Sequence, residues 1–172
     1  MDVSYDYWQG ESLDIVLQSI AEFRKQVLIH TESIQNHSLS DEINYLKHYF
    51  DSESTVIVAN DCGLIVGYIA IVNELDAHPL LNDYTYYGPD LVVTEGPVVN
   101  KDYRGQGIAK SLITEALNVC QNRDVELLIF EPNQICSGSD KAVIKSLADQ
   151  INCFNISQGE AYLFKKEIES SY

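Results

Sequence analysis

The sequence predicts a mixed α/β fold, a sheet flanked by helices, on three observations. Segments with apolar residues at helical spacing alternate with short Val- and Ile-rich runs; one run contains a Gly-Pro pair; and a strand, a helix and a strand follow in succession. The 172 residues suit a single domain spanning 1–172, since 45% hydrophobic content is enough for one continuous core. Disorder is excluded by 11 Tyr, 5 Phe and 1 Trp spread along the chain.

From Ser12 to Leu28, apolar Leu13, Val16, Leu17, Ile20, Phe23, Val27 and Leu28 recur at intervals of three and four, which predicts a helix capped by Ser12. A second helix is expected over Asp41 to Phe50, with Ser40 as its cap and Asp41 and Glu42 at its positive end. The period then changes. Thr55 to Ala59 and Leu64 to Leu75 read as antiparallel strands joined by a turn at Asn60-Asp61-Cys62-Gly63. Asp76 to Asp90, with Pro79, Gly88 and Pro89, reads as a surface loop.

Leu91 to Val99 is the next expected strand. Proline removes a ladder N–H, so Gly96-Pro97 marks either an edge strand or a bulge. Ile108, Leu112, Ile113, Ala116, Leu117 and Cys120 form a helical stripe, and Val125 to Phe130 is a continuous apolar run of the kind found in a buried parallel strand. A helix over Asp140 to Gln150 and strands near Cys153 to Ile156 and Glu160 to Ile168 complete the order.

Charge narrows the function. With 26 acids against 11 bases the net charge is −15, which disfavours nucleic acid and anionic membrane surfaces as partners. Met1 to Gly10 lacks the basic and apolar parts of an export signal, and the longest apolar run, Leu64 to Val72, is too short to span a bilayer, so a cytoplasmic location is expected. Cys62, Cys120, Cys136 and Cys153, like the four histidines, lack metal-ligand spacing; the cysteines read as reduced, small buried hydrophobes, and no metal is expected. The charge is also uneven. Residues 1–100 hold 16 acids and 3 bases, whereas residues 101–172 hold 10 acids and 8 bases. An anionic ligand therefore belongs beside the second part, where Lys101, Arg104 and Lys110 cluster.

These three bases bracket Asn100-Lys101-Asp102-Tyr103-Arg104-Gly105-Gln106-Gly107-Ile108-Ala109-Lys110, which joins the Leu91 to Val99 strand to the following helix. Two glycines allow close backbone approach, and the first helical turn offers free N–H groups and a positive dipole, a geometry that binds phosphate. Arg104-Gly105-Gln106-Gly107-Ile108-Ala109 resembles the acyl-CoA signature of the GNAT N-acetyltransferase superfamily, [QR]-x-x-G-x-[GA], in the strand-to-helix context that family uses. Phe23-Arg24 and the Tyr45 to Tyr49 stretch also look like substrate-side helices of some members.

The resemblance implies a mostly antiparallel sheet that splays at a bulge in its fourth strand, where Gly96-Pro97 falls, with the pantetheine arm of acetyl-CoA against that strand. It implies pantetheine contacts from the backbones of Val98 and Val99, pyrophosphate contacts from Arg104, Gly105, Gln106, Gly107, Ile108 and Ala109 with Lys110 beside them, and a contact from Asn133. Glu95 stands where several members carry the base that deprotonates the amine. Many members place a tyrosine on the helix after the fifth strand to protonate the leaving thiolate; here Lys141 to Gln150 has none, and Ser146 stands near that place. The expected activity is transfer of an acetyl group from acetyl-CoA to a primary amine, on a small molecule or a protein, by direct attack in a ternary complex. The acid-rich first hundred residues favour a cationic acceptor. The absent tyrosine leaves a non-catalytic CoA-binding or regulatory module as the alternative. A dinucleotide-binding fold is excluded by the late position of the motif and the missing third glycine.

Overall fold

A computed structural model describes residues 2–27, 38–50, 53–72, 91–123, 126–130, 151–156 and 159–164. Seven strands form one sheet: β1 (Val3–Gln9), β2 (Thr55–Asp61), β3 (Leu64–Val72), β4 (Leu91–Val99), β5 (Glu126–Phe130), β6 (Ile151–Ile156) and β7 (Gly159–Phe164). Their spatial order is β1-β2-β3-β4-β5-β7-β6, and every pair is antiparallel except β4 with β5. The described helices are α1 (Leu13–Val27), α2 (Leu39–Tyr49) and α3 (Ile108–Arg123), the last connecting the parallel pair. The regions expected as a loop over 76–90 and a helix over 140–150 lie outside the described residues.

β1 was not expected from the sequence. Its inward positions are only half-buried because it lies at the sheet edge, so Val-Ser-Tyr-Asp-Tyr-Trp-Gln lacks the apolar run that reveals an inner strand. The helix starts also differ from expectation. Ser12 does not cap α1: it ends a short 3-10 turn, where its hydroxyl accepts from the Gln9 N–H at 3.1 Å and donates to the Gln9 carbonyl at 2.5 Å. Ser38, not Ser40, caps α2, accepting from Asp41 N–H while Asp41 accepts from Ser38 N–H. That reciprocal pair requires a carboxylate three residues on, and Ser40 has Ile43 there instead.

Side-chain alternation divides the interior into two layers. Ile57, Ala59, Ile69, Ile71 and Val99 pack against α3, while Val56, Val58, Tyr68, Ala70 and Val98 pack against α1 and α2. Between Ala59↔Gly67 and Asn60↔Ile65 the register skips Val66, so Val66 joins the α3 layer and Ile65 the α1 layer. The β2–β3 hairpin closes at Cys62-Gly63, both with positive φ (51° and 86°), as a two-residue turn with the twist of its strands requires. Cys62 is exposed there and so is not the buried thiol the sequence suggested, whereas burial pushes the Cys120 thiol up to about 12 on the inner face of α3.

α1, α2 and β3 are joined by a buried polar cluster. Arg24 Nε donates to Glu42 Oε2 at 2.9 Å and Arg24 Nη1 donates to Tyr68 Oη at 2.6 Å, while the guanidinium carbon lies 4.9 Å from the centroid of the Tyr45 ring. Phe23 meets Tyr68 edge to face. Arg24 and Glu42 are nearly inaccessible, so each charge is balanced by the other rather than by water.

On the opposite layer, Gly67 sets how closely α3 and β4 approach. A Cβ built there would lie 3.0 Å from the Val98 carbonyl oxygen and 3.3 Å from Leu112 Cδ1. Gly67→Ala should therefore lower stability by about 1–3 kcal/mol, the usual cost of overpacking a filled site. Urea unfolding should show a lower midpoint with unchanged slope.

Candidate functional site

β4 is an inner strand, which decides between the two expectations for Gly96-Pro97 in favour of a bulge. Tyr68 pairs with Val98 and Ala70 with Glu95, so Gly96 and Pro97 together oppose Ile69 alone. The β4–β5 register runs only from Leu91↔Glu126 to Val93↔Leu128. Past that point β4 continues through Thr94–Val99 beside β3 without a β5 partner in the register, so among the described residues that side of β4 is left open.

Main-chain direction follows from the bonds at the strand's end. Asn100 N–H donates to the Val66 carbonyl at 2.9 Å, which makes Asn100–Val66 a bonded pair and, two residues back, Val98–Tyr68 another. Val99 lies between them opposite Gly67, so its N–H and C=O point away from β3, toward the opening. Val98 instead spends its main-chain groups on the ladder with β3.

The chain then turns through Lys101–Tyr103 into α3. Asn100 Oδ1 accepts from Asp102 N–H at 3.0 Å, and Tyr103 N–H donates to the Asn100 carbonyl at 2.9 Å, fixing the first half of the loop. Tyr103 Oη donates to Asp61 Oδ2 at 3.0 Å, tying the loop to the end of β2. That hydrogen bond to a carboxylate, with lesser contributions from burial and neighbouring acids, raises the Tyr103 phenol above its ordinary value, so the proton remains in the bond.

Gly105 and Gly107 have φ of 76° and 82°, and a Cβ at either would meet nothing within 4 Å. The glycines answer to backbone conformation and to open space, not to crowding by the protein. Ser111 N–H to the Gly107 carbonyl at 3.0 Å begins the helical ladder, so the amides of Ile108, Ala109 and Lys110 precede it without intrahelical acceptors. Arg104 Nε is buried with no hydrogen-bond partner among the described residues. Three amides at the positive end of a 16-residue helix and two glycines that leave space open form a candidate site for an anionic group.

The structure thus brings together Val99 and the Arg104–Lys110 loop, all at one end of the opening. Glu95 occupies the register position opposite Ala70, just before the bulge. Asn133 and Ser146 lie outside the described residues. Sequence reasoning missed Asp61 and Gly67. A lone glycine within an apolar strand could have revealed Gly67, whereas nothing in the sequence pairs Asp61 with Tyr103, 42 positions away. Among the described residues no cluster of His, Cys, Asp or Glu could hold a metal ion, and no helix is long and apolar enough to cross a membrane.

A family model for the acetyltransferase (GNAT) family matches residues 19–136, a span that includes the bulge, the glycine loop and α3. The chain belongs to the GNAT acetyltransferase family. No curated protein sequence matches it. Solved GNAT structures share the fold at low identity. Arabidopsis thaliana NAA60 in complex with a bisubstrate analogue superposes with a TM-score of 0.59 at 17% identity, covering 99% of this chain and 100% of that one. The aminoglycoside acetyltransferase AAC(6')-Ib in complex with coenzyme A gives 0.65 at 12% identity over 96% and 95%. The Salmonella typhimurium protein yncA with its cofactor acetyl-CoA gives 0.61 at 10% identity over 98% and 97%.

Loss of the Tyr103–Asp61 bond in Tyr103→Phe should loosen the loop more than the fold. Amide hydrogen exchange should accelerate at residues 104–109, while global stability falls by no more than ~1 kcal/mol.

Proposed function

We propose that this GNAT member is an N-acetyltransferase that moves the acetyl group of acetyl-CoA to a primary amine. The observation that carries the reading is the coincidence of the β4 bulge, the end of the β4–β5 pairing and the glycine loop at the α3 N-terminus. A strand that leaves its neighbour provides a slot for an extended ligand arm, and the loop beside it provides amides for a diphosphate. Several structural neighbours hold coenzyme A or acetyl-CoA, which supports the same ligand here.

In this reading the amides of Gly105 to Lys110 and the Arg104 N–H hold the pyrophosphate, and Val99 hydrogen-bonds the pantetheine arm. Val98 anchors β4 to β3 so that Val99 stays in place. Acetyl-CoA supplies an activated acyl carbon as a thioester. The amine nitrogen forms the new bond to that carbon, the carbon–sulfur bond breaks, and Glu95 takes the proton lost by nitrogen, directly or through water. A free alkyl amine has a pKa near ~10.4, so without such a base little of it is nucleophilic at neutral pH. The departing thiolate is a fair leaving group, with a thiol pKa of order ~8.5, and a strong acid is not essential; Ser146 or solvent returns its proton. The acid excess of residues 1–100 favours a cationic acceptor.

The direct test measures free thiol released from acetyl-CoA in the presence of polyamines, aminoglycosides or lysine-bearing peptides. Steady amine-dependent release supports transfer; tight CoA binding without release from any of them makes the protein a binder.

Gly107→Val should remain folded yet lose CoA affinity by at least about tenfold. The branched side chain both opposes the 82° φ and fills space left open for the ligand. Unchanged calorimetric affinity in the folded variant would move the nucleotide site elsewhere.

Glu95→Gln should bind acetyl-CoA normally but turn over roughly 10²- to 10⁴-fold more slowly at neutral pH. The deficit should shrink as pH approaches the pKa of the amine, because the acceptor then arrives deprotonated. A residue that only holds a cationic acceptor would instead raise KM where the amine is charged.

A further inference from the structure

The segment that leads into α3 is held at its two ends and not between them. None of the N–H groups of Gly105, Gln106 and Gly107 finds an acceptor among the described residues, and Arg104 N–H meets the Lys101 carbonyl only at 3.4 Å, beyond the usual range for such a bond. Gly105 and Gly107 both have positive φ, one conformation among the many open to glycine, so the segment has little of its own to hold it in this shape. One end is the first turn of α3, where Ser111 N–H donates to the Gly107 carbonyl. The other end is Tyr103.

Tyr103 is anchored twice. Its half-buried ring packs, like Val3 and Tyr5, against the core between the sheet and α3, and its hydroxyl donates to Asp61 Oδ2 at 3.0 Å. Asp61 ends β2 and is paired with Val3 on β1 and with Leu64 on β3, so it is a fixed point to bond to. Its charge is unfavourable in that place. Asp61 forms no ion pair among the described residues, and the side chain it bonds belongs to the loop read above as the seat of a diphosphate, which a carboxylate repels. What the carboxylate supplies in return is a strong acceptor, because a hydrogen bond to an ionised group is roughly twice as strong as one between neutral groups.

We propose that Asp61 is a positioning residue for coenzyme A binding that acts through Tyr103. The carboxylate holds the phenol, and the phenol holds the entry to the Arg104–Gly107 segment in the shape that receives the diphosphate. Asp61 itself does not contact the ligand. The inference rests on the acetyltransferase reading above and adds to it the residue on which the loop is braced.

Calorimetric titration of CoA into the full chain tests it, with the melting temperature recorded for each protein. Tyr103→Phe keeps the ring and loses the bond, and should weaken CoA binding about two- to tenfold, the range of one hydrogen bond. Asp61→Asn and Asp61→Ala remove the same charge, but only asparagine keeps an oxygen that accepts from the phenol. Asp61→Asn should therefore bind CoA at least as tightly as the native protein, and Asp61→Ala about two- to tenfold less tightly than Asp61→Asn. Combined with Tyr103→Phe, the two substitutions at position 61 should become equivalent, because no hydroxyl is left to hold. Melting temperatures should stay within a few degrees of the native value throughout, and Tyr103→Phe alone decides if Asp61→Ala does not fold. The assignment is overturned by equal CoA affinities of Asp61→Asn and Asp61→Ala, or by native affinity in Tyr103→Phe. A difference between asparagine and alanine that persists beside Tyr103→Phe also overturns it, since position 61 would then act without the phenol. If the native protein binds no CoA, the acetyltransferase reading falls and takes this assignment with it, so the first titration tells the two failures apart.

Discussion

The site depends on a mismatch of one residue. Between two fixed pairings, Tyr68↔Val98 and Ala70↔Glu95, β4 carries one residue more than β3 can match, and Gly96-Pro97 absorbs the excess. Proline has no N–H to give to a ladder, so in an inner strand it belongs where pairing has already failed. The bulge increases local twist, and β4 parts from β5 after three paired positions. On the β3 side the register resumes at Val98, which leaves Val99 directing its main-chain groups into the opening. A single insertion thus creates both the opening and the polar groups that line it.

The opening persists because both faces of the sheet are held. On one face Gly67 lets the Val98 carbonyl and the Ile108 and Leu112 side chains of α3 close against β3, so the helix that begins with the glycine loop has its N-terminus fixed relative to β4. On the other, Arg24, Glu42 and Tyr68 join α1 and α2 to the same strand, with Tyr68 directly opposite Val98. A buried ion pair contributes little net stability compared with apolar packing, but misplacing it is costly because each charge would then lack its partner. Its effect here is to favour one arrangement of two helices over β3, next to the bulge.

Much of this was legible in the sequence where periodicity is strong. The hairpin of β2 and β3, the bounds of β4 and the start of α3 follow from Val/Ile runs and the Ile108–Cys120 stripe, and the glycine loop was visible because Gly105 and Gly107 frame it. β1 was not legible: an edge strand buries only half of one face, and aromatic residues alternating with Ser and Asp look like a polar terminus. Arg24 was read as part of a substrate-side helix, but its burial could not be read, since the carboxylate that permits it is 18 positions away on another helix. The same limit applies to Asp61, whose bond to Tyr103 exists only once β2 and the loop are folded side by side. Local patterns reveal elements, while long-range polar pairs become visible only after the elements meet.

The net charge of −15 raises a last question: how such a chain could offer the site proposed for a diphosphate. Screening and short-range bonding answer it. At physiological ionic strength the screening length is about 8 Å, so carboxylates farther away than this act weakly on an anion at the α3 N-terminus. An anion held at hydrogen-bond distance, roughly 3 Å, from the amides of Ile108, Ala109 and Lys110 is governed by those donors instead. The nearest acid on β2, Asp61, accepts from Tyr103 and so has part of its charge engaged in holding the loop. In the proposed reading the acids act where screening is incomplete, during approach, disfavouring polyanions such as nucleic acid and favouring cationic molecules. Short-range donors and long-range acids can thus favour opposite charges on one protein without cancelling, because they operate on different length scales.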